Sequence, residues 1–248
     1  MMAKGEATTS SAQTGAAKSA IDKLGSSVSY NAGFHSKMIG FVSCKAEGFY
    51  KGSSCLVLGP SEGGETELQL DSNFSRVVCV DGSSRVLAEL KKKCPGYTYV
   101  HSLFEELTLE EKFDVILMFH ILEHIDSPVE LLKRSKAWLK QGGIIIICVP
   151  NANSLHRMLG VEMGLLKDVH ELNDSDRKVG HKRVYDFASL YSDIRGAGLV
   201  VAEERGVYLK PFSNAQMEKL PDSQVEGFFR LGDKFKDNAA EIMVVCRA

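Results

Sequence analysis

The chain has 248 residues, of which 44% are apolar and 25% charged, with a formal net charge of −2 at pH 7. That balance describes a globular fold with a sizeable buried core. It argues against a cationic nucleic-acid binder and, since the longest apolar run is only Ile144–Val149, against a membrane span.

Residues 1–27, rich in Ala, Ser, Thr and Gly and without a leader-like apolar stretch, read as a loose tail ahead of one domain over 28–248. Between Tyr30 and Tyr50, Phe34, Met38, Phe41 and Val42 recur at helical spacing, so residues 28–54 are expected to carry a cap helix. Cys55–Leu58 is a buried strand that ends in Gly59–Pro60 and runs through a Gly-rich loop into a helix. Arg76–Val80 is a second strand, ended by Asp81–Gly82, and Ser83–Lys93 is a helix stopped by Cys94–Pro95–Gly96. Tyr97–His101 and Phe113–Met118 are further strands. Ser127 is positioned to cap the next helix, with Pro128 at its first position, and Ile144–Val149 is another core strand. Beyond Pro150 the pattern weakens. Residues 151–182 and 206–236 read as lid or substrate-facing insertions, around a helix at Tyr185–Ala197 and a strand at Leu199–Glu203, and Glu241–Cys246 is a last strand.

Continuous apolar strands alternating with helices predict an α/β fold with a mostly parallel sheet covered on both faces. Of the six cysteines none forms a CxxC pair, and Cys55, Cys79, Cys148 and Cys246 lie in apolar runs, as reduced thiols of a cytoplasmic protein do.

Ligands of such sheets bind beyond the carboxyl ends of the strands. There Gly59, Gly63 and Gly64 allow close backbone approach, and Asp81 is placed to accept hydrogen bonds from both hydroxyls of a ribose. His120, Glu123 and His124 match the H-x-x-E-H zinc pattern, but His120 directly follows a strand and the helix begins only at Ser127–Pro128, so no metal is expected. His181, Arg183 and Tyr185 between the lid and the next helix, and Lys210, Ser213, Asn214 and Gln216 in LKPFSNAQ, are candidate acceptor contacts.

The stretch from Cys55 to Asn151, above all FDVILMFHILEHIDSPVELLKRSKAWLKQGGIIIICVPN, resembles the class I S-adenosylmethionine (SAM)-dependent methyltransferases, in the branch that includes the ubiquinone-type O-methyltransferases. GHKRVYDFASLYSDIRGAGL resembles the later part of that branch. The resemblance implies a Rossmann-like seven-stranded sheet whose last strand is antiparallel. It places Gly59, Pro60, Ser61 and Gly63 against the methionine part of SAM and Asp81 on the ribose. Ser102, Leu103 and Phe104 would border the adenine, with Phe119, His120 and Leu122 near the sulfonium. Tyr30 and His35 would close over the site. Where the family carries an acid two residues before Gly59 this chain has Val57, and Ser61 and Leu103 replace a customary Gly and Asp.

The function implied is methyl transfer from SAM to a small molecule, with no nucleic acid or membrane as partner. His120 is the first candidate for a general base, Tyr185 and His181 the next. Three alternatives stand beside it. An NAD-dependent oxidoreductase would want a fuller GxGxxG than GPSEGG offers. A non-catalytic SAM-binding protein is compatible with Val57. A SAM cyclase would close azetidine-2-carboxylate by attack of the α-amine, releasing methylthioadenosine, with Asn151 or Asn153, Tyr185 and Ser213 orienting the amine.

Overall fold

The computed structural model describes residues 33–61 and 63–248. Strands β1 (Ser54–Leu58), β2 (Arg76–Asp81), β3 (Thr98–His101), β4 (Phe113–Phe119), β5 (Leu139–Pro150), β6 (Val200–Gly206) and β7 (Glu241–Arg247) form one sheet in the order β3-β2-β1-β4-β5-β7-β6. β1 to β5 pair in parallel, and β7 lies antiparallel between β5 and β6. The chain reverses its direction of travel across the sheet between β1 and β4, which opens a crevice at the carboxyl ends of those strands.

The continuous apolar runs are explained by the side-chain alternation of a strand buried on both faces. Leu56, Leu58, Val78, Val80, Ile116, Met118, Ile145 and Ile147 point to one face, where the helices Pro128–Ala137 and Phe187–Gly196 cover them with Leu131, Leu132, Leu190 and Ile194. Cys55, Val57, Val77, Cys79, Val115, Leu117, Ile144 and Ile146 point to the other. There the helix Phe34–Glu47 buries Phe34, Met38, Val42 and Ala46. The cysteines at 55, 79, 148 and 246 are free thiols inside this core.

Local details depart from the sequence pattern. The loop after β1 enters a 3-10 helix, Glu67–Ser72, instead of an α-helix, and Glu67 turns back toward Ser61. Ser127 precedes its helix without a side-chain capping bond. The helix expected from Tyr185 starts at Phe187, because Tyr185 bridges to Asn151 and Asp186 takes the capping role, accepting from the Ser189 N–H at 2.7 Å. The segment after β5 carries helices Leu155–Glu162 and Asp174–Lys178, and that between β6 and β7 carries Asn214–Met217 and Asp222–Leu231. The last two bury one residue each, Met217 and Val225, too few to print a periodic stripe on the sequence. Tyr30 lies outside the described residues. Among the described residues no helix is long and apolar enough to cross a membrane.

Candidate cofactor and acceptor site

A cavity of about 910 Å³ opens over the carboxyl ends of β1, β2, β4 and β5, a size within the usual range for small-molecule sites. Gly59, Pro60, Ser61, Asp81, Phe119, His120, Asn151, His181 and Ser213 line it, as does His35 from the leading helix. Gly63, Ser102, Leu103, Phe104, Leu122, Asn153, Arg183 and Tyr185 do not.

The reasons are local. Leu122 is core. Ser102 bonds the Leu103 carbonyl. The Arg183 guanidinium clamps the carbonyls of Leu122, Ile125 and Asp126. The Tyr185 hydroxyl donates to Asp193 at 2.8 Å, and burial, more than the Asp193 contact, pushes its pKa up. These side chains hold backbone in place. Asn151, although on the wall, spends its amide on the carbonyls of Asp237 and Ala239, tying β5 to the segment before β7.

At the β1 end, Gly59 has φ 68°, and a Cβ there would lie 2.0 Å from Ile121 Cδ1. Only glycine fits, which brings bare backbone to the cavity wall. Two carboxylates meet at Ser61. Glu67 accepts from the Ser61 N–H at 3.2 Å and its hydroxyl at 2.9 Å. Glu65 approaches the same hydroxyl at 3.0 Å and accepts from Ser36 at 3.1 Å. Glu67 is 1% exposed, and burial pushes its pKa up to about 7 despite the hydrogen bonds it receives. Neither acid stood out in the sequence, where Val57 left the acidic position of the first strand empty. At the β2 end, Asp81 Oδ1 accepts from the Ser83 N–H at 2.6 Å, which fixes the carboxylate at the rim.

The floor is His120, the single non-glycine residue with positive φ among those described, at 56°. Such a conformation costs about 1–3 kcal/mol and persists only where the surroundings impose it. Its N–H is held by the Cys148 carbonyl at 2.9 Å. Its ring lies between two carboxylates, with Nδ1 3.4 Å from Glu123 and Nε2 3.2 Å from Glu241, close enough for ion pairs though off the line of hydrogen bonds. Glu241 also accepts from Tyr208 at 3.2 Å and from the Cys148 thiol at 3.4 Å. Burial alone would lower the pKa of His120, but Glu241 and Glu123 outweigh it and hold the ring well above its ordinary value. The two carboxylates thus favour the protonated form of His120.

Glu241 is a cavity residue that local pattern could not supply. It begins β7, which runs antiparallel and so returns its first residue to the rim where the parallel strands end, with Pro150 as its register partner. His124 and His120 do not share a helix face. His124 meets His181 edge-on, ring centroids 4.8 Å apart. Ligand atoms of Glu123, His124 and His181 lie within 4.8 Å of one another, as do those of His120, Cys148 and Glu241.

An open α/β sheet with strand order β3-β2-β1-β4-β5-β7-β6 and an antiparallel seventh strand, with a glycine turn after β1 and a carboxylate after β2, places the chain in the Rossmann-like class of folds. Residues 42–204 match the family described as "Methyltransferase domain", and the chain belongs to that family. It is 27% identical over 143 residues to the ubiquinone biosynthesis O-methyltransferase of Aeromonas salmonicida, covering 51% of this chain and 58% of that protein. It is 28% identical over 148 residues to the corresponding Roseobacter denitrificans enzyme, covering 55% and 56%. The matched part is thus little more than half the length of these relatives. In fold it is similar to a methyltransferase from Bacillus halodurans, described as putative, with TM-score 0.59, 15% identity and 83% and 97% coverage. It is also similar to the CcbJ methyltransferase of Streptomyces caelestis, with TM-score 0.57, 14% identity and 84% and 88% coverage.

Proposed function

We propose that this protein binds SAM in the cavity above β1, β2 and β4 and catalyses transfer of its methyl group to a small-molecule acceptor. The observation that carries the reading is the placement, on one continuous wall, of the Gly59 turn, Asp81 and the His120 floor in a chain of the methyltransferase family. Bare backbone at Gly59 and the rim carboxylate suit a nucleoside, and the Glu65–Glu67 pair suits its ammonium end.

When bound, SAM supplies an electrophilic methyl on a sulfonium with a neutral thioether as leaving group. The residues of this chain bind and align. Asp81 holds the ribose hydroxyls, and Glu67 with Glu65 replaces the acid missing at Val57. Glu123, His120 and Glu241 together carry one net negative charge, which favours the cationic sulfonium over the neutral thioether left after transfer. His120 faces the cavity, and the carboxylates on either side of it favour its protonated form. It becomes a free base only above its raised pKa.

The azetidine-forming alternative finds little support. Asn151 and Tyr185 are committed to structural bonds, the Ser213 hydroxyl bonds Gln216 at 2.9 Å, and a pair of carboxylates favours a charged ammonium over the neutral amine that ring closure needs. The test is product analysis with SAM carrying a labelled methyl group. Label transferred to an acceptor with release of S-adenosylhomocysteine (SAH) supports the reading, and methylthioadenosine formed from SAM alone overturns it.

A further inference from the structure

The cavity holds a cation without a direct partner among the described residues. Lys210 lies on the wall, half-buried, and its ammonium makes no hydrogen bond or ion pair with any of them. Its place is fixed by main-chain pairing. The Val207 N–H bonds Glu241 at 3.0 Å, the Ala240 N–H bonds Tyr208 at 2.7 Å, and the Leu209 N–H bonds Phe228 at 3.0 Å. Removing an ammonium from water without a partner is costly, and burial here lowers its pKa to about 8.

The charged groups around it are already engaged. Glu241 faces it but is shared by His120, Tyr208 and Cys148. Asp176 faces it but pairs with Arg157 at 3.0 Å and lies 3.2 Å from His181. Arg157 adds positive charge, yet its guanidinium is spent on Asp176 and on the carbonyls of Val169 and Glu171. His35, on the opposite helix, feels Lys210 only weakly. His156 is held neutral, its pKa lowered to about 3 by burial and by Lys210 and Arg157, and its Nδ1 is buried without a hydrogen-bond partner. One free ammonium and one unpartnered ring nitrogen thus share a wall built from the segments after β5 and β6, not from the loops that carry Gly59, Ser61 and Asp81.

We propose that the methyl acceptor is a monoanion whose carboxylate is held by Lys210. A single available cation matches one negative charge. A phosphate dianion would bring one negative charge more than this wall leaves open, because the Arg157 charge is already balanced by Asp176. The assignment rests on the methyltransferase reading.

The experiment measures turnover of SAM with a labelled methyl group against matched pairs of small hydroxy- and amino-carboxylates and their carboxamides, in wild type, Lys210→Met and Lys210→Arg. SAH affinity is measured in parallel by calorimetry. Wild type is expected to favour carboxylates over carboxamides by about tenfold or more. Lys210→Met should lose most of that preference, Lys210→Arg should recover part of it, and SAH affinity should stay within about twofold throughout. Equal handling of acids and amides by wild type, including no turnover of either, overturns the proposal, as does a preference that survives in Lys210→Met. A fall in SAH affinity in Lys210→Met overturns it too, because the lysine then holds the cofactor's own carboxylate. If wild type binds no SAH, the methyltransferase reading itself falls, and that result is distinct from all of these.

Discussion

The two halves of the cavity are built by different rules. The half proposed for the cofactor comes from turns that directly follow β1 and β2, so Gly59, Ser61 and Asp81 are placed by the strands that precede them. The half proposed for the acceptor is assembled from segments distant in sequence. His120 follows β4, Glu241 opens β7, and Lys210 follows β6, and only the antiparallel return of β7 brings them to one rim. Function that follows a strand end can be read locally, whereas function that depends on sheet order cannot.

The comparison can be broken by substitution, and the largest effect is expected in the acceptor half. Glu241→Ala leaves the His120 imidazolium and the Tyr208 hydroxyl short of a buried partner. It should lower unfolding free energy by about 3–5 kcal/mol in urea titration. Glu241→Gln, which keeps the volume, should lose less stability yet weaken SAM binding more than SAH binding, because it removes the net negative charge beside the sulfonium. In the cofactor half, Asp81→Ala should weaken SAH binding by about tenfold to a hundredfold in calorimetry, with a smaller change in stability. Unchanged affinity would remove the ribose contact and with it the nucleoside assignment.

Glu67 supplies a pH signature for the cofactor half. Burial raises its pKa to about 7, so it is ionised above that value and protonated below it. An ammonium is held by the ionised form. SAH affinity in wild type should therefore fall as pH drops from 8 toward 6, by about tenfold at the lower end, and this slope should vanish in Glu67→Gln. A slope that persists in the variant assigns the ammonium to another group. The smallest effect is expected where a sequence candidate has turned out to hold backbone. Arg183→Met breaks the clamp on the carbonyls of Leu122, Ile125 and Asp126. It should cost about 1–2 kcal/mol of stability and leave SAH affinity unchanged. A large rise in acceptor KM at full stability would return Arg183 to the substrate wall.

Much of this protein was legible in its residues. The apolar runs around Leu56, Val78, Ile116 and Ile146 define doubly covered strands, because a strand with core on both faces has no polar side to alternate with. Gly59 and Asp81 were legible because a tight turn and a strand-end carboxylate are local facts. Arg183 and Tyr185 could not be placed from the sequence, because polar side chains near a site read alike whether they face a ligand, a carbonyl or another side chain. Only the tertiary structure decides that difference, through the direction of each side chain.

What the sequence alone determined was the class of sheet and which turns follow its strands. The tertiary structure decided the rest: that Glu67 folds back onto Ser61, that His120 is clamped between Glu123 and Glu241 in a left-handed backbone, and that Lys210 stands on the cavity wall without an ion pair among the described residues. Each of these depends on charges brought together across long stretches of chain. Burial strengthens their interaction with one another, and neither spacing nor composition records it.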